Sequence, residues 1–390
     1  MNSINLTSQL IKCHSVTPKE AGTFKVIKNL FKDTDFKIHE INKNGIKNLF
    51  LRWGSKNLPT FGFSGHIDVV NPGEISDWKS NPFSGEIIGE EIYGRGSVDM
   101  KSAVAAFCTA AISVSQKTPP IFSIVLLITS DEEGKAQDGT KAILEWMDKK
   151  NERIDFCVVG EPTCPEKFGD MIKIGRKGSL TGYFSILGKQ GHSAYPHLAI
   201  NPIHASMKLI NLLSKKPMDN GSKFFEPSTL VTTSISTTNK SNNVIPKNVE
   251  MIVNIRFNDK HTGKKISDWL KQCAKNIEYL TKTKINIKIN ISGEPFFSKP
   301  GYLAKLVKKS VKKYTGISAN FSTTGGTSDA RYIIKKCPVV EFGLVGKKMH
   351  AVDESVQTSQ ITGLENIYSD ILNEFYIDVK KDRKLYARKT

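Results

Sequence analysis

Imidazole and carboxylate side chains recur in this sequence at points where an apolar, strand-like run or a turn ends. These residues are His66, Asp68, Asp99, Asp131, Glu132, Glu133, Glu161 and His350. In open α/β sheets, ligands bind beyond the carboxyl ends of the strands, so side chains at several strand ends can lie together at one edge. Imidazole and carboxylate groups that lie together can transfer protons or bind divalent cations.

Taken one at a time, these residues have simpler explanations. His66 could be a buried histidine held by Asp68, and Asp99 could cap the helix that follows it. The run Asp131–Glu133 could be a solvated acidic turn, and His350 could be a surface histidine. None of these residues identifies a metal site by itself.

Taken together, the same residues favour a cation site. Carboxylates that are buried together repel one another unless a cation neutralises them. One imidazole with carboxylates for each ion, and one carboxylate shared between two ions, suits a pair of borderline divalent ions such as Zn²⁺. None of the six cysteines forms a C-x-x-C pair, which disfavours a zinc site built from thiolates.

The elements that must position these side chains alternate between strand and helix over residues 1–177. Continuous apolar runs such as IFSIVLLITS are typical of strands buried on both faces, and VDMKSAVAAFCTAAISVSQ has helical spacing. This order predicts the first part of an α/β catalytic domain, with a mostly parallel sheet flanked by helices.

A different pattern occupies residues 178–294. There the sequence predicts strand, helix, strand, strand, helix and strand, which is the order of a ferredoxin-like α+β sandwich. The α/β pattern resumes over residues 295–390, with a basic C-terminal tail from about residue 379. The second domain is therefore predicted to be inserted into the first.

The composition excludes several classes of protein. There is no run of 18 apolar residues and no N-terminal signal-peptide pattern, so no membrane partner is expected. The cysteines are scattered, which indicates reduced thiols in the cytoplasm. The net charge of +18 comes mostly from lysines spread along the chain, so we expect an anionic small substrate and no nucleic-acid partner.

Ten segments of the sequence resemble, in order, the motifs of the co-catalytic zinc peptidase and deacylase superfamily, which includes aminoacylases. The resemblance covers roughly residues 5–378, and its motifs are GHIDVVNPG, GRGSVDMK, TSDEEG, VGEPT, GRKGSL, GHSAYPHLAINPIH, SNNVIP, NISGEPF, GGTSDAR and VVEFG. It implies the α/β zinc-peptidase catalytic domain, with the inserted ferredoxin-like domain acting as the dimerisation domain.

The resemblance also assigns metal ligands. It implies that Asp99 bridges two zinc ions in each subunit, which Co²⁺ is expected to be able to replace. His66 and Glu161 would complete the ligands of one ion, and Glu133 and His350 those of the other.

Three further residues receive catalytic roles from the resemblance. Glu132 would be the general base, accepting a proton from a water of lowered pKa and returning it to the leaving amine. Asp68 would hold the far ring nitrogen of His66. His192 would contact the tetrahedral intermediate from the partner subunit of a homodimer; an ordinary surface-loop histidine is the alternative.

The implied reaction is hydrolysis of N-succinyl-LL-2,6-diaminopimelate to succinate and LL-2,6-diaminopimelate, in lysine and diaminopimelate synthesis. Deacylation of another N-acyl amino acid, such as acetylornithine, is the alternative. A metal-free binding protein of the same fold would require a broken ligand set. The matching substrate-contacting positions are Arg176, Ser179, Tyr195, Asn242, Arg256, Ser292, Gly326 and Thr327. The sequence departs from the family at Gly346, where an Asn is common, which affects fine specificity.

Overall fold

A computed structural model describes residues 1–381 of the 390-residue chain. The basic tail predicted from about residue 379 lies outside the described residues beyond Lys381. The α-helices in residues 1–381 are α1 (Ser3–Ile11), α2 (Thr23–Phe31), α3 (Lys101–Lys117), α4 (Thr140–Lys149), α5 (Pro202–Ser214), α6 (Gly263–Thr281), α7 (Tyr302–Thr315), α8 (Ala330–Ile333) and α9 (Thr358–Lys381). None of them combines the length and hydropathy needed to cross a membrane.

The strands of the described residues form one large sheet and several smaller ones. They are β1 (Lys37–Lys43), β2 (Ile46–Trp53), β3 (Thr60–His66), β4 (Ile87–Ile88), β5 (Glu91–Tyr93), β6 (Ser123–Thr129), β7 (Phe156–Val159), β8 (Met171–Lys173), β9 (Gly175–Arg176), β10 (Gly178–Leu187), β11 (Gly191–His192), β12 (Thr229–Ser236), β13 (Val244–Ile245), β14 (Asn248–Phe257), β15 (Lys284–Gly293), β16 (Phe296–Phe297), β17 (Asn320–Ser322), β18 (Val339–Glu341) and β19 (Ser355–Gln357).

The chain divides into two compact units. The first comprises Met1–Ile174, Ser298–Ser322 and the described residues from Ser328 on, and the second comprises Gly175–Phe297 and Thr323–Thr327. The breaks predicted after residues 177 and 294 fall after residues 174 and 297. The short segment Thr323–Thr327, which the sequence assigned to the catalytic domain, belongs instead to the second unit.

The first unit contains an eight-stranded mixed sheet of order β1-β2-β6-β3-β7-β18-β8-β17. Its four central strands, β6, β3, β7 and β18, are parallel. The antiparallel β1–β2 hairpin forms one edge, and β8 runs antiparallel to β18 near the other. The predicted α/β class with a mostly parallel, helix-flanked sheet is confirmed, because its central strands have the parallel order expected of buried apolar runs.

Apolar packing fixes the central strands beneath one helical layer. Every residue of β3 and β6 is buried. The ring of Phe63 stacks on Phe107 of α3 at 4.3 Å and meets the edge of Tyr368 of α9 at 5.7 Å. A β-carbon at Gly65 would lie 2.8 Å from the Met100 methyl group, so this glycine lets α3 approach the end of β3 closely.

The second unit is a four-stranded antiparallel sheet of order β12-β14-β10-β15. Its chain order is the predicted strand, helix, strand, strand, helix, strand. Helices α5 and α6 cover one face of this sheet, and Leu209 of α5 and Leu270 of α6 belong to the same apolar core as Phe184 of β10. Ser179 lies directly opposite Arg256 in the β10–β14 pair, so both side chains project from the same face of the sheet.

Candidate metal centre

The chemistry-bearing residues of the first unit lie at one edge of its sheet. His66 is the last residue of β3 and is paired with Thr129, the last residue of β6. Glu161 follows the end of β7, and His350 lies in the loop after β18. Because β6, β3, β7 and β18 are parallel neighbours, the segments that follow them emerge at the same edge.

Two groups of three residues at this edge share the carboxylate of Asp99. In the first group, His66 Nε2 lies 3.1 Å from Asp99 Oδ1 and 3.9 Å from Glu161 Oε1. In the second group, His350 Nε2 lies 3.3 Å from Asp99 Oδ2 and 2.8 Å from Glu133 Oε1. Each oxygen of Asp99 therefore faces a different imidazole, and within each group the candidate ligand atoms all lie within 4.8 Å of one another.

These distances fit metal binding. Zinc bonds to nitrogen and oxygen are about 2.0–2.2 Å long, so two atoms that share an ion can be at most about 4.3 Å apart. The four separations from an imidazole to a carboxylate oxygen all fall below that span. Two imidazoles, two terminal carboxylates and one bridging carboxylate are donors that suit borderline divalent ions. The predicted ligands are thus brought together, and their roles as ligands stay predictions.

The acids of this cluster favour positive charge on the two imidazoles. Hydrogen bonds to Asp99 and Glu133 raise the pKa of His350 to about 10. Burial disfavours the charged imidazole of His66, but the hydrogen bond to Asp99 and the charges of nearby acids together outweigh it and raise the pKa of His66 well above its ordinary value. Burial acts to raise the pKa of Asp99, but the hydrogen bonds from both imidazoles hold it well below its usual range. The acids therefore require positive charge beside them.

Asp68 contacts the far ring nitrogen of His66 through its main chain. The Asp68 backbone carbonyl lies 2.9 Å from His66 Nδ1, whereas its carboxylate is 3.7 Å away. That carboxylate accepts the backbone N–H groups of Glu132 and Glu133 at 3.2 and 3.1 Å. Asp68 therefore fixes the tautomer of His66 through its main chain and anchors the acidic turn through its side chain.

The acidic turn after β6 presents its residues in three different ways. Asp131 is buried and accepts the N–H groups of Lys135, Gln137 and Asp138, so it closes the turn. Glu133 faces His350. Burial, followed by the nearby carboxylates of Glu161 and Asp329, raises the pKa of Glu132 well above its ordinary value.

The alternative explanations of Asp99, the acidic turn and His350 do not describe their contacts, whereas His66 is indeed a buried histidine held by Asp68. The N-terminal cap position of α3 is Met100, with no side-chain cap, so Asp99 does not cap that helix. The turn Asp131–Glu133 is not a solvated acidic turn, because Asp131 is buried and its two successors are partly buried. His350 has an exposed side chain, but its ring nitrogen contacts two acids.

Two residues that the sequence did not single out, Arg95 and Glu354, form a buried ion pair close to the ligands. Arg95 Nη1 lies 2.7 Å from Glu354 Oε2. Arg95 lies within the quoted motif GRGSVDMK, and Glu354 follows His350 shortly along the chain. Arginine and glutamate are ordinarily exposed, so their types alone gave no signal of burial.

The predicted substrate-contacting residues all lie in the second unit and form two sets. Ser179 and Arg256 are cross-strand partners, and Ser292 lies at the irregularity where β15 pairs with Ser179. Arg176 borders the segment that contains Gly326 and Thr327, since its guanidinium would meet a β-carbon on Gly325. The other set is exposed: His192 and Tyr195 have ring centroids 5.8 Å apart, and Asn242 immediately precedes Asn243, whose carbonyl accepts the Ser193 N–H.

The model of peptidase family M20/M25/M40 matches residues 62–374. The chain belongs to this family. The matched residues include every candidate metal ligand and residues of both units.

Relatives within the M20 family are similar over nearly the whole chain. A succinyl-diaminopimelate desuccinylase from Roseobacter denitrificans is 48% identical over 377 residues, covering 96% of this chain and 99% of that protein. One from Cereibacter sphaeroides gives the same identity and coverage.

Solved structures of M20 proteins share the fold at lower identity. An M20 metallo-carboxypeptidase from Sulfolobus solfataricus superposes with a TM-score of 0.79 at 18% identity, covering 97% of this chain and 100% of that one. A dinuclear metal-binding M20 peptidase from Bacillus subtilis gives 0.70 at 16% identity, covering 95% and 96%.

Metal binding is expected to release protons. Below their raised pKa values, His66 and His350 hold protons in the cation-free chain, and a metal ion needs a neutral imidazole nitrogen. Adding Zn²⁺ or Co²⁺ at pH 7 should therefore release about two protons per chain, and the apparent affinity should fall as the pH falls. Calorimetric titration in buffers of different ionisation enthalpy measures this release.

The control for this measurement is a histidine with a carboxylate partner in the second unit. His261 Nε2 lies 2.9 Å from Asp219 Oδ2. We expect His350→Ala to reduce the release by about one proton and His261→Ala to leave it unchanged. Binding without proton release, or equal effects of both substitutions, would contradict the assignment of His350 as a ligand.

Proposed function

We propose that this chain is a dinuclear metal-dependent hydrolase that cleaves N-succinyl-LL-2,6-diaminopimelate to succinate and LL-2,6-diaminopimelate, in lysine and diaminopimelate biosynthesis. The observation that carries the proposal is the pair of ligand groups sharing Asp99 in a chain that is 48% identical to the desuccinylase of R. denitrificans. Zinc is the proposed ion, with cobalt able to replace it. The absence of nucleic-acid and membrane partners and the cytoplasmic location stay predictions.

Five side chains of the first unit would hold the two ions. His66 and Glu161 would bind one, Glu133 and His350 the other, and Asp99 both. When bound, the pair of ions supplies Lewis-acid chemistry that lowers the pKa of a water and polarises the amide carbonyl.

Glu132 is the proposed general base. Its neighbour Glu133 is turned toward His350, and the N–H groups of both glutamates are bound by the Asp68 carboxylate. Because Glu133 is the proposed metal ligand, the carboxylate of Glu132 remains available for proton transfer. Glu132 accepts the proton of the attacking water as the C–O bond forms, and it later donates that proton to the leaving amine as the amide C–N bond breaks.

The second unit carries the groups suited to the carboxylates of the substrate. Arg176 and Ser179 are buried, and Arg256 is half-buried on the sheet face that it shares with Ser179. Burial lowers the pKa of Arg256, and its Nε donates to Asn254 at 3.2 Å, which orients the guanidinium. A planar guanidinium of fixed orientation binds a carboxylate through two parallel hydrogen bonds.

Homodimerisation through the inserted domain is part of the proposal. Strand β12 is at the edge of its sheet, and its Val231 and Ile235 are 55% and 49% exposed. Met207 of α5, the helix that packs beside β12, is 61% exposed. An open edge strand bearing apolar residues can pair with the same strand of a second copy.

The substrate assignment is tested by comparing two amides. N-succinyl-LL-2,6-diaminopimelate carries a terminal carboxylate on its acyl group, and N-acetylornithine does not. A site that pairs this carboxylate with a cation leaves that cation unpaired when acetyl is bound, so kcat/KM for acetylornithine should be at least tenfold lower, as a rough bound. Release of succinate and acetate from the metal-loaded chain measures the ratio, and preference for acetylornithine would contradict the assignment.

The base is tested by two neighbouring substitutions. Glu132→Gln keeps the shape of the side chain and removes its basicity, so kcat should fall by at least about 100-fold while both ions stay bound. Glu133→Gln should instead lose one ion. Elemental analysis with steady-state kinetics distinguishes them, and metal loss in the first variant with retention in the second would mean that the two roles are exchanged.

Sharing of the sites between subunits is tested by mixing inactive chains. In a heterodimer of His192→Ala and Glu132→Gln chains, one site has Glu132 on its own chain and His192 from the partner. Random exchange should therefore restore about a quarter of wild-type activity. Refolding the two variants together and assaying succinate release measures it. No activity should be recovered if His192 acts in the active site of its own chain.

A further inference from the structure

Two ligands that must meet at one metal ion lie far apart in sequence. Asp99 precedes α3, whereas His350 lies in the loop after β18. The side chain of His350 is 45% exposed, and its backbone has a φ of 61°, in the left-handed region that non-glycine residues seldom adopt. Packing of its ring therefore does not fix this residue, and its main chain must be held by other contacts.

Glu354 binds the main chain that leads into Asp99. Its Oε1 accepts the N–H groups of Gly96, Val98 and Asp99 at 3.1, 2.8 and 3.3 Å. Three donors on one oxygen fix the direction of this loop immediately before the bridging carboxylate.

Arg95 binds the main chain at His350. Its Nη2 donates to the His350 carbonyl at 3.3 Å, and its Nη1 donates to the Ala351 carbonyl at 3.1 Å and to Glu354 Oε2 at 2.7 Å. The indole of Trp78 lies 5.1 Å from the guanidinium carbon and covers it. The guanidinium therefore connects the His350 loop to the carboxylate that holds the Asp99 loop.

The burial of this pair calls for an explanation beyond stability. The side chains of Arg95 and Glu354 are 2% and 0% exposed. Burying two charges costs desolvation free energy that their attraction roughly offsets, so a buried ion pair is seldom retained for stability alone. Here five of its hydrogen bonds reach the two ligand residues or the backbone within three residues of them.

We propose that Arg95 and Glu354 are a positioning pair that sets the spacing between Asp99 and His350. The pair thereby sets the affinity for the metal ion that Asp99, Glu133 and His350 would hold, which is called the second ion below. The inference rests on the proposed dinuclear hydrolase and adds residues that do not touch metal or substrate. Backbone contacts from the pair hold both ligand segments, so the carboxylate and the imidazole need no rearrangement when the ion binds.

The test uses one substitution that keeps the charge and one double substitution that removes it. Arg95→Lys retains the ion pair but cannot reach both carbonyls and Glu354 together, because an ammonium lacks the planar fork. The double variant Arg95→Met with Glu354→Gln leaves no unpaired buried charge, so it remains foldable.

The matched control is a second buried ion pair in the same unit. Arg52 Nη2 lies 2.6 Å from Glu152 Oε2, with side chains 6% and 12% exposed. Arg52 is paired with Val125 near the start of β6, whereas His66 is paired with the last residue of that strand. Arg52→Met with Glu152→Gln therefore removes a comparable pair at the other end of the strands from the candidate metal ligands.

Each purified chain is stripped of metal and titrated with Co²⁺. The titration gives the affinities for the two Co²⁺ ions and the visible absorption of the bound ions, and the melting temperature is measured separately. In the Arg95 variants the second affinity should fall about 10–100-fold, with the first changed less than about threefold. At limiting Co²⁺, kcat should fall with KM nearly unchanged, and excess Co²⁺ should restore it. The control variant should lower the melting temperature of the metal-free chain and leave both affinities unchanged.

Three results would overturn the proposal. If the wild-type chain binds two ions and hydrolyses its substrate while both Arg95 variants keep wild-type affinities, the pair does not position the ligands. Equal loss of affinity in the control variant would show that any buried pair has this effect. A wild-type chain that binds fewer than two ions would remove the dinuclear centre itself, and the proposed function would fail with it.

Discussion

The carboxylate of Asp99 faces two imidazoles, with His66 Nε2 3.1 Å from one oxygen and His350 Nε2 3.3 Å from the other. This double contact requires a strand end and a loop from near the end of the chain to arrive at one point. The parallel order of β6, β3, β7 and β18 also brings the two remaining candidate ligands, Glu133 and Glu161, to the same edge. Repulsion among so many acids is tolerable only with positive charge between them. The sheet topology, the close approach of α3 and the buried ion pair of Arg95 and Glu354 all serve this arrangement.

The fold class and the set of side chains that gather at the strand ends could be predicted from the sequence. Continuous apolar runs identified β3, β6 and β7, and the polar residues that follow them identified candidate ligands. The sequence predicted that Asp68 holds the far ring nitrogen of His66, but it did not specify that the backbone carbonyl of Asp68 is closer to that nitrogen than the carboxylate is. Which atom of a residue faces a ring depends on backbone angles that residue types do not specify.

Other features depend on contacts between distant segments. The ion pair of Arg95 and Glu354 joins residues far apart in the chain, and charged types ordinarily indicate a surface. Thr323–Thr327 belongs with the second unit although an α/β pattern surrounds it. Short strands such as β8 and β17 have only three residues each, too few to show a period. These features depend on contacts between segments that are distant in the chain, and a local sequence pattern does not contain that information.

The order of the ligands along the chain has a consequence for how the centre is assembled during synthesis. His66, Asp99 and Glu161 all precede the second unit, and His350 follows it. At a synthesis rate of about 5–20 residues per second, the roughly 190 residues from Glu161 to His350 take about 10–40 seconds to emerge. The first group of ligands is therefore translated well before the second can exist. The proposed ligands of one ion are therefore all present in the nascent chain before His350, which the other proposed ion needs.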